Sequence, residues 1–138
     1  MDWQNNTLAV ASGRLLGKLP SFSTNGVHVF KEEDWSFKNV SNVPQWQNDN
    51  IWDFIDISVN PNNPEQYAVA SYSEKPLTIF TGDSVNVFDD SNSTLAFTGI
   101  ENGWSLASGV RYDAQNNLWV LNGYTERPLN VLRPDGSW

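Results

Sequence analysis

Cysteine is absent from this sequence of 138 residues, and histidine and methionine occur once each. Without cysteine the chain has no disulfide, no thiolate metal site and no cysteine nucleophile. A single histidine, His28, cannot supply the several imidazoles of a typical zinc site, and its alternation with Val27 and Val29 predicts an exposed strand position. No phosphate-binding, dinucleotide-binding or zinc-protease motif occurs. We therefore predict no metal site and no cofactor.

Long apolar runs and basic residues are also scarce. No apolar run reaches the 18 residues of a membrane-spanning helix, so we predict no direct membrane insertion. The opening "MDWQNNTLAV" lacks the basic segment and apolar core of a signal peptide. Eight Lys and Arg against 16 Asp and Glu give a net charge of -8. Such a surface repels phosphate backbones, so we predict no nucleic-acid partner.

Aromatic residues are plentiful at 13%, with seven tryptophans, and the sequence repeats itself. The stretch "YSEKPLTIF" at 72–80 returns as "YTERPLNVL" at 124–132, and "DNIWDF" at 49–54 matches "ENGWSL" at 101–106, both at a spacing of 52. A weaker third copy carries "AVAS" at 9–12, identical to 68–71. The alignment without gaps matches Trp119 to Tyr67 and predicts both in a core between repeats. A period of this length indicates repeated supersecondary units.

Each repeat contains short runs of β-branched and aromatic residues separated by turn sequences such as "NPNNPE" and "RPDGS". Four short strands in about 50 residues are typical of one β-propeller blade. We predict an all-β fold, a fragment of a β-propeller with about three four-stranded antiparallel blades and a period near 52 residues. The alternative fold is a β-sandwich with coincidental internal similarity.

The repeat divides the chain into three units within one partial propeller domain. Residues 1–45 are predicted to hold the second to fourth strands of a first blade, 46–98 a complete blade and 99–138 the first three strands of a last blade. The terminal blades are thus predicted to be incomplete, and the chain to be a piece of a longer protein. Because unpaired strand edges are templates for pairing, we predict self-association. The four strands of the complete blade are predicted near Phe54–Val59, Tyr67–Ser71, Leu77–Phe80 and Val85–Phe88.

Three stretches carry a resemblance to known proteins. The segment "DISVNPNNPEQYAVASYSEKPLTIF", then "VFDDSNSTL", then "GVRYDAQNNLWVLN" resembles the middle propeller of PorZ-like proteins, which belong to the type IX secretion system of Bacteroidetes. The likeness covers roughly residues 46–138 well and the first 45 weakly. Its more specific part is the "D-S-N-S-x-L" element at 90–95. The "D-x-x-N-x-L-W-V" element at 113–120 is also similar to two-component regulator propeller repeats.

The resemblance implies a non-catalytic binding or scaffolding segment of a larger cell-envelope protein, periplasmic or at the cell surface. PorZ-like proteins are described as delivering anionic lipopolysaccharide, so the implied ligand is a protein or a glycan such as lipopolysaccharide. The alternative is a segment of a periplasmic sensor ectodomain of a hybrid two-component system that recognises glycan fragments. A propeller glycosidase or lyase is the third hypothesis.

The candidate ligand-binding residues are aromatic and polar side chains near the start of the first strand of two blades. Trp52 and Trp104 precede those strands and are able to stack on a sugar or a peptide side chain, or to cover the end of the core. Loops at one face of a propeller are common binding sites. The full predicted set is Trp46, Trp52, Asp53, Trp104 and Arg111.

Glu74 and Glu126 are the obvious pair for acid–base chemistry. They occupy equivalent positions in two repeats, so we expect them on separate turns. A glycosidase needs its two carboxyl groups about 5–10 Å apart across one sugar. We therefore predict no catalytic residue.

Overall fold

The computed structural model describes residues 1–17, 19–98 and 104–138. The boundary predicted at residue 99 and the residues 101–103 of the repeated "ENGWSL" lie outside these ranges. Within them the chain is almost entirely β. The strands are β1 (Asp2–Gln4), β2 (Thr7–Ala11), β3 (Leu15–Leu16), β4 (Leu19–Pro20), β5 (Val27–Lys31), β6 (Asp34–Lys38), β7 (Phe54–Asn60), β8 (Asn63–Ser73), β9 (Leu77–Thr81), β10 (Ser84–Phe88), β11 (Ser105–Tyr112), β12 (Leu118–Gly123) and β13 (Leu129–Leu132), with one short helix, α1 (Pro44–Asn48).

The strands form three antiparallel blades. The first blade has the order β1-β2-β5-β6, the middle blade runs from β7 through β8 and β9 to β10, and the last blade is β11-β12-β13. Two residue pairs join the last blade to the middle one: Leu106 of β11 pairs with Tyr72 of β8, and Ser105 pairs with Ser73. Each of the four strands predicted for the middle blade is present. The prediction of an all-β chain of short antiparallel strands is confirmed.

The first blade contains one strand more than predicted, because β1 pairs with β2. The two strands are joined by Asn5 and Asn6, whose φ angles are 48° and 58°. Positive φ at both central residues is the geometry of a tight hairpin turn, and asparagine tolerates it. The Asp2 carboxylate then holds β1 in place by accepting hydrogen bonds from Val59 N (2.8 Å) and Ser58 Oγ (3.1 Å).

Two further elements are absent from the sequence prediction. The connection between β2 and β5 contains the small hairpin β3–β4. The helix α1 is a single turn with Pro44 at its start, too short to produce a helical period in the sequence.

The repeat is visible as the same hydrogen bond in all three blades. Across the connection from the second to the third strand, Ser12 N donates to Gly26 O (3.2 Å), Ser71 N to Pro76 O (2.8 Å) and Asn122 N to Pro128 O (2.8 Å). A second signature follows the fourth strand, where Asn42 Nδ2 donates to Phe37 O (2.9 Å) and Asn92 Nδ2 to Val87 O (3.0 Å). These bonds define equivalent positions independently of sequence alignment.

These equivalent hydrogen bonds show that the second strands of the middle and last blades align at a spacing of 51 residues, one fewer than predicted. Tyr67 pairs with Phe80, whereas Leu132, the counterpart of Phe80, pairs with Leu118. Leu118 therefore takes the place of Tyr67, and Trp119 points to the opposite side of its blade and is 40% exposed. The prediction that Trp119 lies in a core between repeats is wrong for this chain. The last blade carries one extra residue in its turn, and a one-residue shift along a strand reverses every side chain.

Two cores separate the three blades. The first lies between the first and middle blades and includes Ala9, Val27, Val29, Trp46, Phe54, Ile57, Val59, Tyr67, Val69 and Phe80. The second lies between the middle and last blades and includes Ala68, Ala70, Leu77, Ile79, Leu95, Ala107, Val110, Leu118 and Val120. The middle blade thus packs one face against the first blade and the other face against the last blade.

The turn between β11 and β12 explains the "D-x-x-N-x-L-W-V" element. The Asp113 carboxylate accepts hydrogen bonds at 2.9 Å from Gln115 N, from both the backbone and the side chain of Asn117, and from Trp119 Nε1. The side chains of Asn117 and Trp119 are the main causes that hold the pKa of Asp113 at about 2. The element is a carboxylate-capped turn.

This turn predicts a pH dependence that is measurable at one carboxyl group. Because the pKa of Asp113 is lowered from 3.8 to about 2, the hydrogen bonds to the ionised form are present above pH 3.8 and are lost as the pH falls through about 2. Trp119→Phe removes one donor and should raise the pKa of Asp113, as measured by carboxyl NMR titration. Trp35→Phe, at an exposed indole of the first blade, is the control. An unchanged Asp113 midpoint in Trp119→Phe would contradict this account.

Candidate functional site

Four aromatic rings meet near the starts of β7 and β11 and the end of β8. The ring centroid of Phe22 lies 5.1 Å from Trp52 and 5.4 Å from Trp104, and the two tryptophans are 6.2 Å apart. Tyr72 lies beneath, 6.2 Å from Trp104. All four contacts are edge to face, the arrangement that the ring quadrupoles favour. We call Phe22, Trp52, Tyr72 and Trp104 the aromatic cluster.

The cluster has a buried floor and an exposed rim. Tyr72 is 1% exposed, Trp52 and Trp104 are half-buried, and Phe22 is 53% exposed. The Trp52 Nε1 atom is buried, and the described part of the chain offers it no hydrogen-bond acceptor. A buried donor without a partner is uncommon in folded proteins. The cluster thus combines accessible aromatic surface with an unsatisfied polar atom.

Phe22 is held in place by a fully buried carboxylate. Asp53 Oδ2 accepts hydrogen bonds from Ser21 N (2.7 Å) and Phe22 N (2.9 Å). Asp53 Oδ1 accepts from Ser21 Oγ (2.6 Å) and Ser23 N (2.9 Å). The backbone adds a bond from Asp53 N to Ser23 O at 2.9 Å. The φ of Phe22 is 57°, a conformation that a bulky residue adopts only when its surroundings impose it.

The structure brings three of the five predicted site residues together and separates two. Trp52 and Trp104 form the cluster, and Asp53 lies under it. Asp53 is 0% exposed and its oxygens are occupied by the 21–23 segment, so it positions Phe22 and has no surface for a ligand. Phe22 is not predictable from the sequence. It lies 31 positions from Asp53, and no sequence pattern indicates that its backbone N–H donates to the Asp53 carboxylate.

Trp46 and Arg111 lie elsewhere. Trp46 is 0% exposed, packs 4.2 Å from Phe54 between ring centroids, and donates its indole N–H to Thr78 Oγ1 at 2.9 Å. This placement makes it a core residue. Arg111 lies near the far end of β11 from Trp104, where its Nη1 contacts Asp56 Oδ2 (3.0 Å) and Ile57 O (3.2 Å). Burial thus excludes Trp46 from the cluster, and distance along β11 excludes Arg111.

A cleft of about 400 Å³ lies between the middle and last blades. Its amide side chains largely satisfy one another: Asn60 Nδ2 donates to Gln66 Oε1 (2.6 Å) and Asn62 Nδ2 to Asn116 Oδ1 (2.8 Å). Because of these bonds, fewer amide groups of the cleft are free to bind a ligand than its composition suggests. The aromatic cluster is therefore the stronger candidate site.

Other features of the described residues bear on chemistry. Glu74 and Glu126 are exposed on turns of two different blades. In residues 1–17, 19–98 and 104–138 no three acidic or histidine side chains gather as metal ligands. Over the same ranges no helix has the length and apolar character needed to cross a membrane.

Comparison with known proteins identifies the fold. The chain matches no family model, and no curated protein is significantly similar to it. A solved structure of PorZ, described as an essential surface component of the type IX secretion system of Porphyromonas gingivalis, is similar with a TM-score of 0.85 and 19% identity. The similarity covers 100% of this chain and 18% of that chain. The predicted propeller-type fold and its likeness to PorZ are confirmed. The likeness to two-component regulator propellers stays a prediction.

The role of Asp53 predicts a large effect from a single substitution. Asp53→Ala removes the acceptor of four hydrogen bonds and leaves their donors unpaired. We expect a loss of at least about 3 kcal/mol in the free energy of unfolding, measured with urea, and faster hydrogen exchange at residues 21–23.

Asp49→Ala is the matched control, because Asp49 makes a partly exposed salt bridge with Lys75 at 3.0 Å. Surface pairs of this kind contribute about 0–1 kcal/mol. Equal effects of the two substitutions would show that Asp53 does not hold the 21–23 segment.

Proposed function

We propose that this chain is a non-catalytic binding segment of a larger cell-envelope protein, in which a propeller scaffold presents the aromatic cluster to a ligand. The observation that carries the proposal is the placement of Phe22. Four hydrogen bonds to a buried carboxylate hold its ring, more than half exposed, against two tryptophans. Strained backbone that the surrounding structure holds in place clusters at functional sites.

The comparison with PorZ supports the cellular context of the proposal. That protein is described as a bacterial surface component of a secretion system. The chain covers 18% of its length, so any activity of a whole protein would involve much more than this segment. We propose that the parent protein belongs to the cell envelope, in the periplasm or at the cell surface. No observation favours the sensor alternative, and we do not propose it.

The chemistry of the cluster favours a ligand with an apolar face. Aromatic rings combine a large apolar surface with specific packing geometry. The net charge of -8 disfavours recognition through anionic groups, whereas stacking on the apolar face of a sugar ring needs no charge. We propose a glycan as the ligand. Among the described residues the buried indole N–H of Trp52 has no acceptor.

The test uses a neutral polysaccharide, free of lipid and of phosphate, as the probe. On its addition we expect the indole N–H resonances of Trp52 and Trp104 to shift in NMR spectra of the full chain. Phe22→Ala should weaken binding about three- to tenfold, the range expected for one aromatic contact. Trp35→Ala, at a tryptophan of the first blade that is 59% exposed, should leave binding unchanged.

The outcomes separate the parts of the proposal. No shift of any indole resonance would overturn the glycan ligand. Shifts that persist unchanged in Phe22→Ala would overturn the aromatic cluster as the site. If an apolar peptide, and no saccharide, shifts the Trp52 and Trp104 resonances, the ligand is a protein bound at the same cluster.

A further inference from the structure

The cleft of about 400 Å³ between the middle and last blades lies where the two interfaces between blades differ. Leu118 and Leu132 are part of its apolar wall. Strand pairing makes them the equivalents of Tyr67 and Phe80, which stack at the first interface with ring centroids 4.8 Å apart. Two leucines fill less volume than two aromatic rings. The second interface therefore keeps a space that side chains fill at the first.

A second difference between the interfaces concerns charge. At the first interface Lys31 of the first blade forms an ion pair with Glu65 of the middle blade. Strand pairing puts Thr81 in the place of Lys31, and counting back from the second strand puts Asn116 in the place of Glu65. Thr81 and Asn116 both line the cleft, and neither is charged. No ion pair like that of the first interface therefore joins these two positions.

Three side chains that line the cleft have polar groups without a partner in the part of the chain that the structure describes. The side-chain amide of Asn86 makes no hydrogen bond, and Asn63 uses only its Oδ1, which accepts from Glu65 N at 3.2 Å. The Tyr112 ring packs against the second core, and burial raises the pKa of its hydroxyl, which therefore stays protonated. Amides and hydroxyls of this kind can bond to both the C=O and the N–H of a ligand.

The charge of the cleft is opposite to that of the whole chain. The net charge of the chain is -8, yet the described residues that line the cleft include one cation, Arg133, and no acid. Arg133 is exposed, and within residues 1–17, 19–98 and 104–138 it forms no ion pair. The carboxylate of neighbouring Asp135 is bound within its own turn, by Ser137 N at 3.0 Å and Ser137 Oγ at 2.7 Å. The guanidinium is therefore available to a carboxylate of a ligand.

We propose that this cleft binds an N-acylated apolar amino acid, either free or as the last residue of a peptide. The carboxylate of the ligand pairs with Arg133, and its amide hydrogen-bonds to the free groups of Asn63, Asn86 and Tyr112. Its apolar side chain packs in the space beside Leu118. A volume of about 400 Å³ suits a small ligand, because such sites measure about 300–1,000 Å³. The cleft shares no residue with the aromatic cluster, so this proposal is independent of the function proposed above.

The test compares two probes that differ only in charge. N-acetyl-leucine carries the carboxylate, and N-acetyl-leucinamide lacks it. In NMR titrations of the full chain we expect N-acetyl-leucine to shift the side-chain amide resonances of Asn63 and Asn86. The indole resonances of Trp52 and Trp104 should not move, because they belong to the aromatic cluster. N-acetyl-leucinamide should bind about three- to tenfold more weakly, since it loses one exposed charged pair.

Two substitutions test the two halves of the site. Arg133→Gln should weaken binding of N-acetyl-leucine about three- to tenfold and make the two probes bind equally. Arg127→Gln, at an exposed arginine of the same blade that does not line the cleft, should leave binding unchanged. Leu132→Phe supplies the ring that Phe80 provides at the first interface and should abolish binding by filling the space. Circular dichroism verifies that each variant is folded, and Arg133→Gln, at an exposed residue, keeps the test valid if Leu132→Phe is not.

The outcomes decide both the ligand and the place. If N-acetyl-leucine shifts neither amide resonance up to its solubility limit, the ligand class is wrong. Equal binding of the two probes to the unmodified chain would overturn the role of Arg133. Shifts that persist in Leu132→Phe would assign binding to another surface. A tetrapeptide ending in leucine, with its amidated copy as control, separates the sources: if it binds as N-acetyl-leucine does, the ligand is a peptide end, and if it does not, the ligand is a free acylated amino acid.

Discussion

The packing of large side chains on alanines between successive blades is the interaction on which the other features depend. Ala9 and Ala11 allow Tyr67 and Phe80 to approach, and Ala68 and Ala70 do the same for the last blade. The close approach brings the first strands of the blades side by side. There the side chains of one blade accept hydrogen bonds from the backbone of the next, as Asp56 does from Val110 N at 3.2 Å and Ser58 from Tyr112 N at 3.1 Å.

The aromatic cluster is a second consequence of that packing. Trp52 and Trp104 belong to different blades and meet only because the blades are in contact. Asp53 then adds Phe22 from the connection between β2 and β5. A buried carboxylate in a propeller loop invites a catalytic interpretation, yet here each oxygen accepts two hydrogen bonds from the protein. Its hydrogen bonds order the 21–23 segment, and the exposed ring of Phe22 is the surface that results.

Much of the fold follows from local sequence. The strands of the middle blade are runs of β-branched and aromatic residues between turn sequences, and this pattern was sufficient to predict them. The hairpin at Asn5 and Asn6 does not follow from the same pattern, because β1 is only three residues long. In the candidate site, Trp52 and Trp104 were predictable from their repeated spacing. The burial of Trp46 is not predictable from local sequence, because it depends on packing against Phe54 and on a hydrogen bond to Thr78, 32 residues away.

The sequence by itself determined the class of fold, the period and the identity of most strands, because these depend on local preferences and on repetition. Only the tertiary structure decided which side of each strand is buried. Strand side chains alternate between two faces, so the one extra residue in the last blade moved Trp119 to the surface and Leu118 to the core. Tertiary structure also decided what Asp53 does, because its partners at residues 21–23 come from a different part of the chain.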